Sequence, residues 1–451
     1  MRPSFLIATV ATMKNKLLLT GDSLQNQISY YLIMLLLVTL PFDKFYSQTA
    51  FICFAVHTLI HLRCKDLDGL WNIRNLALIS VFLITLISLT YTHFFNLGLD
   101  ELTRLLLVLL IPVFFAINPF NFSKYRDRLL LVFSVVCVGC VLFLYTCAFR
   151  RIIYFHLPLK SIFSDTFVNH HFSAPLGIHA TFFSLQVAIA LVNLLLLAIK
   201  ETKWLYRCLC AAGMLFLTAG IVQLGSKAIL VALVLTVVLA IPILTLRGRA
   251  RLRFALISAA LSAMVIGGAL KAKSFKERYV AELKTDFSQN TSTNESADPR
   301  LVRWQTAAEI VYKRPILGYG SGAELPLLMD AYFQKKLYSS YLFKLNAHNQ
   351  YITFLITSGI VGLLFYLCTL GFGFATAYIR HDVMLMTFIL LITTVSISES
   401  LLNAEKSVYF YALFFSFLVY ALPRKTMAKG DTKTQYFFNQ RATKSANSPS
   451  F

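Results

Sequence analysis

Residues 300–322 read RLVRWQTAAEIVYKRPILGYGSG, and residues 346–362 read NAHNQYITFLITSGIVG. In the first stretch, apolar residues fall at helical spacing, Pro315 predicts the end of that helix, and the glycines after it allow tight turns. The second stretch carries an isolated His348 directly before a long apolar run. Most of the remaining chain is apolar, so this polar segment is where we expect chemistry.

The composition around this segment is that of an integral membrane protein. Of 451 residues, 57% are hydrophobic and only 14% are charged. A run of roughly 20 apolar residues crosses a bilayer, and in lipid such runs must be helices to satisfy their backbone hydrogen bonds. The sequence therefore predicts an all-α polytopic fold with about twelve transmembrane helices. The predicted spans cover residues 28–41, 46–61, 75–91, 102–117, 129–149, 176–199, 205–224, 228–246, 254–270, 351–378, 383–397 and 408–422.

The net charge of +21 indicates membrane topology rather than binding to nucleic acid, because the basic residues lie in short clusters between the apolar runs. With the N-terminus in the cytoplasm, these clusters fall on the inside connections, and the connection near Asp100 on the outside is acidic. The pattern predicts a multi-pass membrane protein with both termini cytoplasmic, and membrane lipids rather than nucleic acid as its surroundings.

The spans divide the chain into four predicted parts. Residues 1–270 form an N-terminal transmembrane bundle of about nine helices, and residues 350–422 contribute about three more. Between them, residues 271–349 form one large periplasmic loop with short helices. Residues 423–451 are predicted to be a basic, disordered cytoplasmic tail. Function tends to reside on such long loops, and we expect the active site in the periplasmic one.

His348 is the first candidate for chemistry. A neutral imidazole at the outer mouth of a membrane helix is able to accept a proton from a substrate hydroxyl. The alternative is a histidine that only marks the polar interface of the helix, and spacing alone does not separate the two.

Three cations are candidates for binding phosphate. Arg300 and Arg303 stand three residues apart on one helical face, and guanidinium groups suit phosphate oxygens. An amphipathic helix lying on anionic headgroups has the same pattern. Lys227 follows a Gly-Ser pair at the outer end of a span, where the positive-inside rule disfavours a cation; snorkelling to the interface is its alternative.

Two further patterns are weak. Asp66-Leu67-Asp68 matches the DxD sequence of nucleotide-sugar transferases, but it falls on a cytoplasmic connector. His156, His170 and His171 share an outer loop, yet no carboxylate or cysteine is spaced to complete a metal site. We therefore predict no metal and no cofactor.

Taken together, these motifs resemble the O-antigen ligase and O-antigen polymerase family of bacterial membrane glycosyltransferases. The resemblance rests on three short patterns in a fixed order: GSKA at residues 225–228, R-x-x-x-W followed by RPILGYG between residues 300 and 320, and HNQY at 348–351 followed by GIVG at 359–362. Lys227 stands where the family usually has an arginine, which keeps the charge but loses the bidentate geometry. The predicted topology, with one large outer loop before the last spans, is also similar.

The resemblance implies a GT-C-like membrane fold and an enzyme that moves a glycan from undecaprenyl diphosphate to lipid A-core, with inversion and without a required metal. In that reaction His348 is the expected base, and Arg300, Arg303 and Lys227 are expected to bind the diphosphate, Arg300 also acting in catalysis. The family also contains O-antigen or polysaccharide polymerases and protein O-oligosaccharyltransferases, which use another glycan acceptor, and the residues do not separate these activities.

A polytopic transporter or flippase is the competing class. Transporters place ionisable residues near the bilayer midplane and use broken helices. Here most candidate groups lie at outer helix ends or in one outer loop, which favours surface chemistry.

Overall fold

The computed structural model describes residues 22–287 and 298–422, and these residues are helical with no strand among them. The all-α prediction is thereby confirmed for the described part of the chain. Fourteen helices carry the architecture and are numbered here in chain order: α1 (Leu24–Val38), α2 (Lys44–Ile60), α3 (Ile73–Leu89), α4 (Phe95–Ile117), α5 (Phe122–Tyr154), α6 (Ala180–Lys200), α7 (Trp204–Leu224), α8 (Lys227–Thr245), α9 (Gly248–Ala269), α10 (Arg300–Lys313), α11 (Glu324–Gln334), α12 (Gln350–Arg380), α13 (Val383–Ser398) and α14 (Glu405–Tyr420).

Short helical turns connect these helices. They are Cys64–Trp71, Leu159–Phe163, Asp165–Phe167, His170–Ser173, Ala174–Leu176, Lys273–Lys276, Glu277–Ala281, Glu282–Asp286, Tyr338–Leu342 and Leu401–Asn403. The predicted tail at 423–451 and residues 288–297 of the predicted loop lie outside the described residues.

Six of the described helices are long and apolar enough to cross a membrane: α5, α6, α7, α8, α9 and α12. The bent pair formed by Cys64–Trp71 and α3 adds a seventh if it is one span, and α1 and α13 are shorter apolar helices. Large apolar side chains of α9, such as Leu252 and Met264, are more than half exposed, as expected of a lipid-facing surface. The chain thus has the features of a membrane protein, while the count of about twelve spans stays a prediction.

The connections between helices that contain the candidate site residues all lie at one end of the bundle. At this end, here called the loop end, α2 begins beside the start of α14, because Lys44 Nζ lies 2.6 Å from Glu405 Oε2. Gln223 at the end of α7 donates to the Ile162 carbonyl in the connection between α5 and α6, at 2.7 Å. The segment between α10 and α11 lies on the end of α3, where the Tyr91 hydroxyl donates to the Leu317 carbonyl.

The opposite end is held by a buried ion pair. Arg126 near the start of α5 contacts both carboxylate oxygens of Asp382, with Nη2 2.7 Å from Oδ1. Asp382 also caps α13 by accepting from the Leu385 amide. A bidentate pair with both side chains less than a tenth exposed fixes the relative position of α5 and α13.

A break in α12 positions the loop against the bundle. Gly359 has φ 63° and ψ −160°, so the helix is interrupted there, although the apolar run predicts one continuous span. The segment 315–320 pairs with the break: Ile360 donates to the Pro315 carbonyl, and the Tyr319 and Gly320 amides donate to the Ile356 and Thr357 carbonyls. A Cβ on Gly359 would lie 2.2 Å from the Ile316 carbonyl oxygen, so only glycine permits this approach.

The glycines after Pro315 make the turns that the sequence predicts. Gly318, Gly320 and Gly322 all have positive φ, at 67°, 91° and 79°. A Cβ on Gly318 would lie 2.5 Å from the Ile356 carbonyl oxygen. The glycines around Tyr319 and the Gly359 break therefore form one interlocked structure, which attaches the loop to the bundle.

Candidate active site

His348 lies directly before α12 and is paired with a carboxylate from another helix. Its Nδ1 is 3.2 Å from Oε2 of Glu399, the residue at the end of α13. The His348 backbone has φ 47°, in the left-handed region that few residues other than glycine occupy, and its amide donates to the Asn346 side chain. Strained backbone of this kind is concentrated at functional sites.

Helix α10 holds the segment before His348 in place. Trp304 Nε1 donates to the Ala347 carbonyl at 2.9 Å, and Arg303 Nη1 donates to the Asn346 carbonyl at 3.2 Å. Arg303 is only 4% exposed, and burial lowers the pKa of its guanidinium. Arg303 and Trp304 therefore each donate to a backbone carbonyl, and the two carbonyls belong to the consecutive residues immediately before His348.

Arg300 and Lys227 are connected through a shared carboxylate. Lys227, the first residue of α8, has Nζ 3.5 Å from Asp286 Oδ2 and 3.4 Å from Glu282 Oε2. Arg300 Nε lies 3.7 Å from the other oxygen of Asp286. Both cationic side chains are about a quarter exposed, at 25% and 27%. Two cations held this close, with open faces, are suited to bind an anion that has several oxygens.

Arg300 and His348 both act electrostatically on the carboxyl of Glu399. Burial raises the pKa of its carboxyl, but the hydrogen bond from His348, together with the charges of His348, Arg300 and His179, lowers it below the ordinary 4.5. Glu399 is thus ionised at neutral pH although it is almost buried. The structure brings His348 and Arg300 around Glu399, and it joins Lys227 to Arg300 through Asp286.

A second carboxyl lies behind the His348 segment. Glu324, at the start of α11, accepts from the Ala347 amide and from Asn403 Nδ2, both at 3.1 Å. Burial, with a smaller contribution from the charge of Glu101, raises the pKa of Glu324 to about 7. Because it contacts both the residue before His348 and the turn before α14, Glu324 joins the loop to the end of the bundle.

Sequence reasoning did not single out Glu399, Asp286 or Glu324. Glu399 did carry a signal, because it is an acidic residue at the end of an apolar run, on the predicted side of His348. The weaker patterns are placed apart from this cluster. Asp66 caps a turn at the end opposite to the loop end by accepting from the Arg63 amide. The ring of His170 lies 4.2 Å from that of His179, and within the described ranges no group of three or more His, Cys, Asp or Glu residues is placed to hold a metal ion.

Comparison with known families identifies the segment that carries these residues. Residues 212–367 match the O-antigen ligase family model. The match covers 156 of the 451 residues, and it supports assignment of the chain to the O-antigen ligase and polymerase family. The matched O-antigen ligase segment contains Lys227, Arg300, Arg303 and His348, and it ends before Glu399. Members of this family are enzymes of the glycosyltransferase type, so the match supports a ligase or polymerase activity. No curated protein matches the chain.

Proposed function

We propose that this family member transfers a glycan from undecaprenyl diphosphate to lipid A-core at the periplasmic face of the inner membrane. The observation that carries the proposal is the His348–Glu399 pair, together with Arg300 and Lys227, which share the Asp286 carboxylate. Such a cluster combines a base for the acceptor with cations for a diphosphate leaving group.

His348 acts as the general base. Because its Nδ1 faces the Glu399 carboxylate, the neutral ring carries its proton on Nδ1 and leaves Nε2 as a proton acceptor. As the acceptor hydroxyl oxygen bonds to the anomeric carbon, its proton passes to Nε2, and Glu399 stabilises the imidazolium that forms. Glu399 is in this scheme a positioning residue, since it acts through His348.

The diphosphate leaves from the opposite side of the anomeric carbon. Breaking the bond between that carbon and the phosphate oxygen places negative charge on the leaving group, which Arg300 and Lys227 stabilise without a metal. Asp286 contacts both cations when no substrate is bound. The diphosphate, whose oxygens are more numerous and more highly charged, displaces Asp286 from them. A direct displacement of this kind inverts the anomeric configuration.

Arg303 has a different role from Arg300. Its buried guanidinium contacts the Asn346 carbonyl, so it supports the proposal by fixing the segment that carries His348. Among the two arginines, Arg300 is the one with an exposed face and is therefore the diphosphate ligand.

An apolar groove next to Lys227 supports a lipid-linked donor. The groove has a volume of about 310 Å³ and is lined by α6, α7, α8 and α9, including Val222, Leu230 and Phe254. Leu230 lies one helical turn from Lys227 on α8, so a lipid with its diphosphate at Lys227 is able to place the start of its polyprenyl chain in this groove.

The experiment is glycan transfer in proteoliposomes that contain lipid-linked glycan and lipid A-core. His348→Asn is the informative variant, because asparagine tolerates the left-handed backbone but is not a base at neutral pH. We expect its kcat to fall about 10²- to 10⁴-fold, the usual contribution of a general base. His93→Ala, an exposed histidine at the same end of the bundle, is the matched control and should leave kcat unchanged.

Glu399→Gln should lower kcat about 10- to 100-fold with little change in KM, the usual effect of losing an orienting partner. The double variant Glu399→Gln, His348→Asn should be no slower than His348→Asn alone, because Glu399 acts only through the ring. Full activity of folded His348→Asn would refute the assignment of the base. Longer lipid-linked chains without conjugation would instead show a polymerase, and products on protein Ser or Thr would show a protein-directed enzyme.

A further inference from the structure

A second cavity at the loop end is separate from the cluster around His348. It has a volume of about 280 Å³ and lies between the starts of α2 and α14 and residues 103–107 of α4. Three cations, Lys44, Arg104 and Lys406, line it together with a single carboxylate, Glu405. The described lining therefore carries an excess of positive charge.

The contacts of these cations leave that excess available. Lys44 is paired with Glu405 at 2.6 Å, which neutralises one cation. Lys406 donates to the Gly177 carbonyl at 2.9 Å, a neutral partner, and the Asp43 carboxylate acts on it through its charge. Arg104 Nε is shielded from solvent and has no hydrogen-bond partner among the described residues. A shielded guanidinium nitrogen without an acceptor is costly unless a ligand supplies one.

The rest of the lining combines polar residues, Ser47, Gln48, Thr103 and Tyr409, with four large apolar side chains. Leu40, Phe42, Leu106 and Leu107 contribute to the lining, and Phe42 and Leu106 are 37% and 40% exposed. A cationic interior with exposed apolar side chains at its rim matches an amphiphile whose phosphate enters the cavity while its hydrocarbon stays in the bilayer.

Two short chain segments connect residues of the cavity with the region of the catalytic cluster. Gly177, which holds Lys406, is two residues from His179, whose charge acts on Glu399. On the other side, Arg104 is one helical turn from Glu101, which accepts from the Gly322 amide shortly before α11. The cavity and the apolar groove share no lining residue, because the cavity is lined from α2, α4 and α14 with the residues before α2, and the groove from α6, α7, α8 and α9.

We propose that this cavity binds a phosphate group of the lipid acceptor, with Arg104 and Lys406 as its ligands. The inference rests on the proposed function and deepens it, because it assigns the two lipid substrates to a cavity and a groove that share no lining residue. It also names a chemical requirement: the acceptor carries phosphate on its lipid part. A polymerase also uses a lipid acceptor that carries phosphate, a second polyprenyl-linked glycan, so the test below names lipid A-core as the acceptor.

The test measures binding of lipid A-core to the full chain in phosphatidylcholine nanodiscs, with the natural phosphates and after their enzymatic removal. We expect the parent to bind the phosphorylated form at least ten-fold more tightly, and Arg104→Gln, Lys406→Gln to lose that preference. Lys335→Gln removes a cation of the same end that pairs with Glu309 away from the cavity, and it should keep the preference. Arg104→Lys, which keeps the charge but loses the fork, should fall between the two.

Transfer kinetics give a second readout. The double variant should raise KM for the acceptor about ten-fold or more, with kcat and the donor KM changed less than two-fold. Equal binding of the two lipid forms by the parent overturns the proposal, and this comparison needs no variant to fold. Competition by phosphatidylglycerol at equal concentration overturns the acceptor assignment in favour of a general lipid-phosphate site, and competition by inorganic phosphate alone overturns the lipid part.

The two proposals fail separately. If the parent transfers no glycan to any acceptor, the ligase proposal is wrong, while a phosphate-dependent preference that Arg104 and Lys406 control still supports the cavity as a lipid-phosphate site. If transfer occurs without any phosphate preference, the ligase proposal stands and the cavity assignment is wrong.

Discussion

Gly359→Ala should separate the loop from the bundle, because Gly359 is the point where they meet most closely. The residue has φ 63°, and a new Cβ would lie 2.2 Å from the Ile316 carbonyl oxygen and 2.7 Å from the Leu317 amide. Both neighbours are backbone atoms, so neither is able to rotate away. The substitution must therefore shift either α12 or the segment 315–320.

The magnitude follows from the contacts around the break. Alanine at φ 63° and ψ −160°, a conformation that essentially only glycine adopts, costs about 1–3 kcal/mol. Four backbone hydrogen bonds join 315–320 to α12, and each contributes about 0.5–1.5 kcal/mol when it is made. Losing half of them in addition to the backbone strain gives about 2–6 kcal/mol. We expect transfer activity to fall as well, because the same loop carries His348.

Gly371→Ala is the matched control in the same helix. Nothing lies within 4 Å of its Cβ position, and its φ is not positive, so alanine should be neutral or stabilise the helix by up to about 1 kcal/mol. The assay is thermal and denaturant unfolding in detergent micelles, followed by Trp fluorescence, with limited proteolysis of the loop as a local probe. Equal stability of Gly359→Ala and Gly371→Ala, with unchanged proteolysis, would refute the reasoning.

Three further predictions concern buried polar groups. The raised pKa of Glu324 means that its stabilising contribution is fully present below pH 4.5 and is lost as pH rises through about 7; Glu324→Gln should remove that dependence from unfolding measured across this window. Asp382→Ala leaves Arg126 charged and unpaired at the opposite end and should cost about 3–5 kcal/mol by denaturant unfolding, whereas Lys335→Ala, which breaks an exposed pair, should cost less than about 1 kcal/mol. Trp304→Phe removes one hydrogen bond to the loop and should cost about 1 kcal/mol while lowering kcat more than it changes either KM.

These predictions have distinct refuting results. A pH profile of unfolding that is the same for Glu324→Gln and the parent would mean that this carboxyl does not titrate in the window. Asp382→Ala as stable as the Lys335 variant would mean that the buried pair is not the contact that holds α5 and α13. A kcat of Trp304→Phe equal to that of the parent would show that the Ala347 carbonyl is held by other contacts.

The sequence predicted the local structure at the loop with good accuracy. The helical spacing after Arg300 and the stop at Pro315 correspond to α10, which ends at Lys313, and the glycines predicted to turn do so with positive φ. These features depend on neighbouring residues and on steric limits of the backbone, so they are readable from sequence. The family could be identified from the same motifs, because their order along the chain is itself specific.

The motifs were less informative about which residue does what. Arg300 and Arg303 are equivalent by type and spacing, yet one has an exposed face next to Asp286 and the other is buried under the Asn346 carbonyl. Helical periodicity places both on one face of α10, and only the packing of α10 against the loop decides which of them faces solvent.

The amino-acid sequence by itself determined that the chain is helical, apolar and suited to a membrane, and it predicted chemistry near His348. The tertiary structure alone decided that Glu399, 51 residues further along the chain, is the partner of His348, that Asp286 joins Lys227 to Arg300, and that α12 is broken at Gly359. The physical reason is that hydropathy and backbone sterics act over a few residues, whereas these contacts arise where the ends of separate helices are packed together.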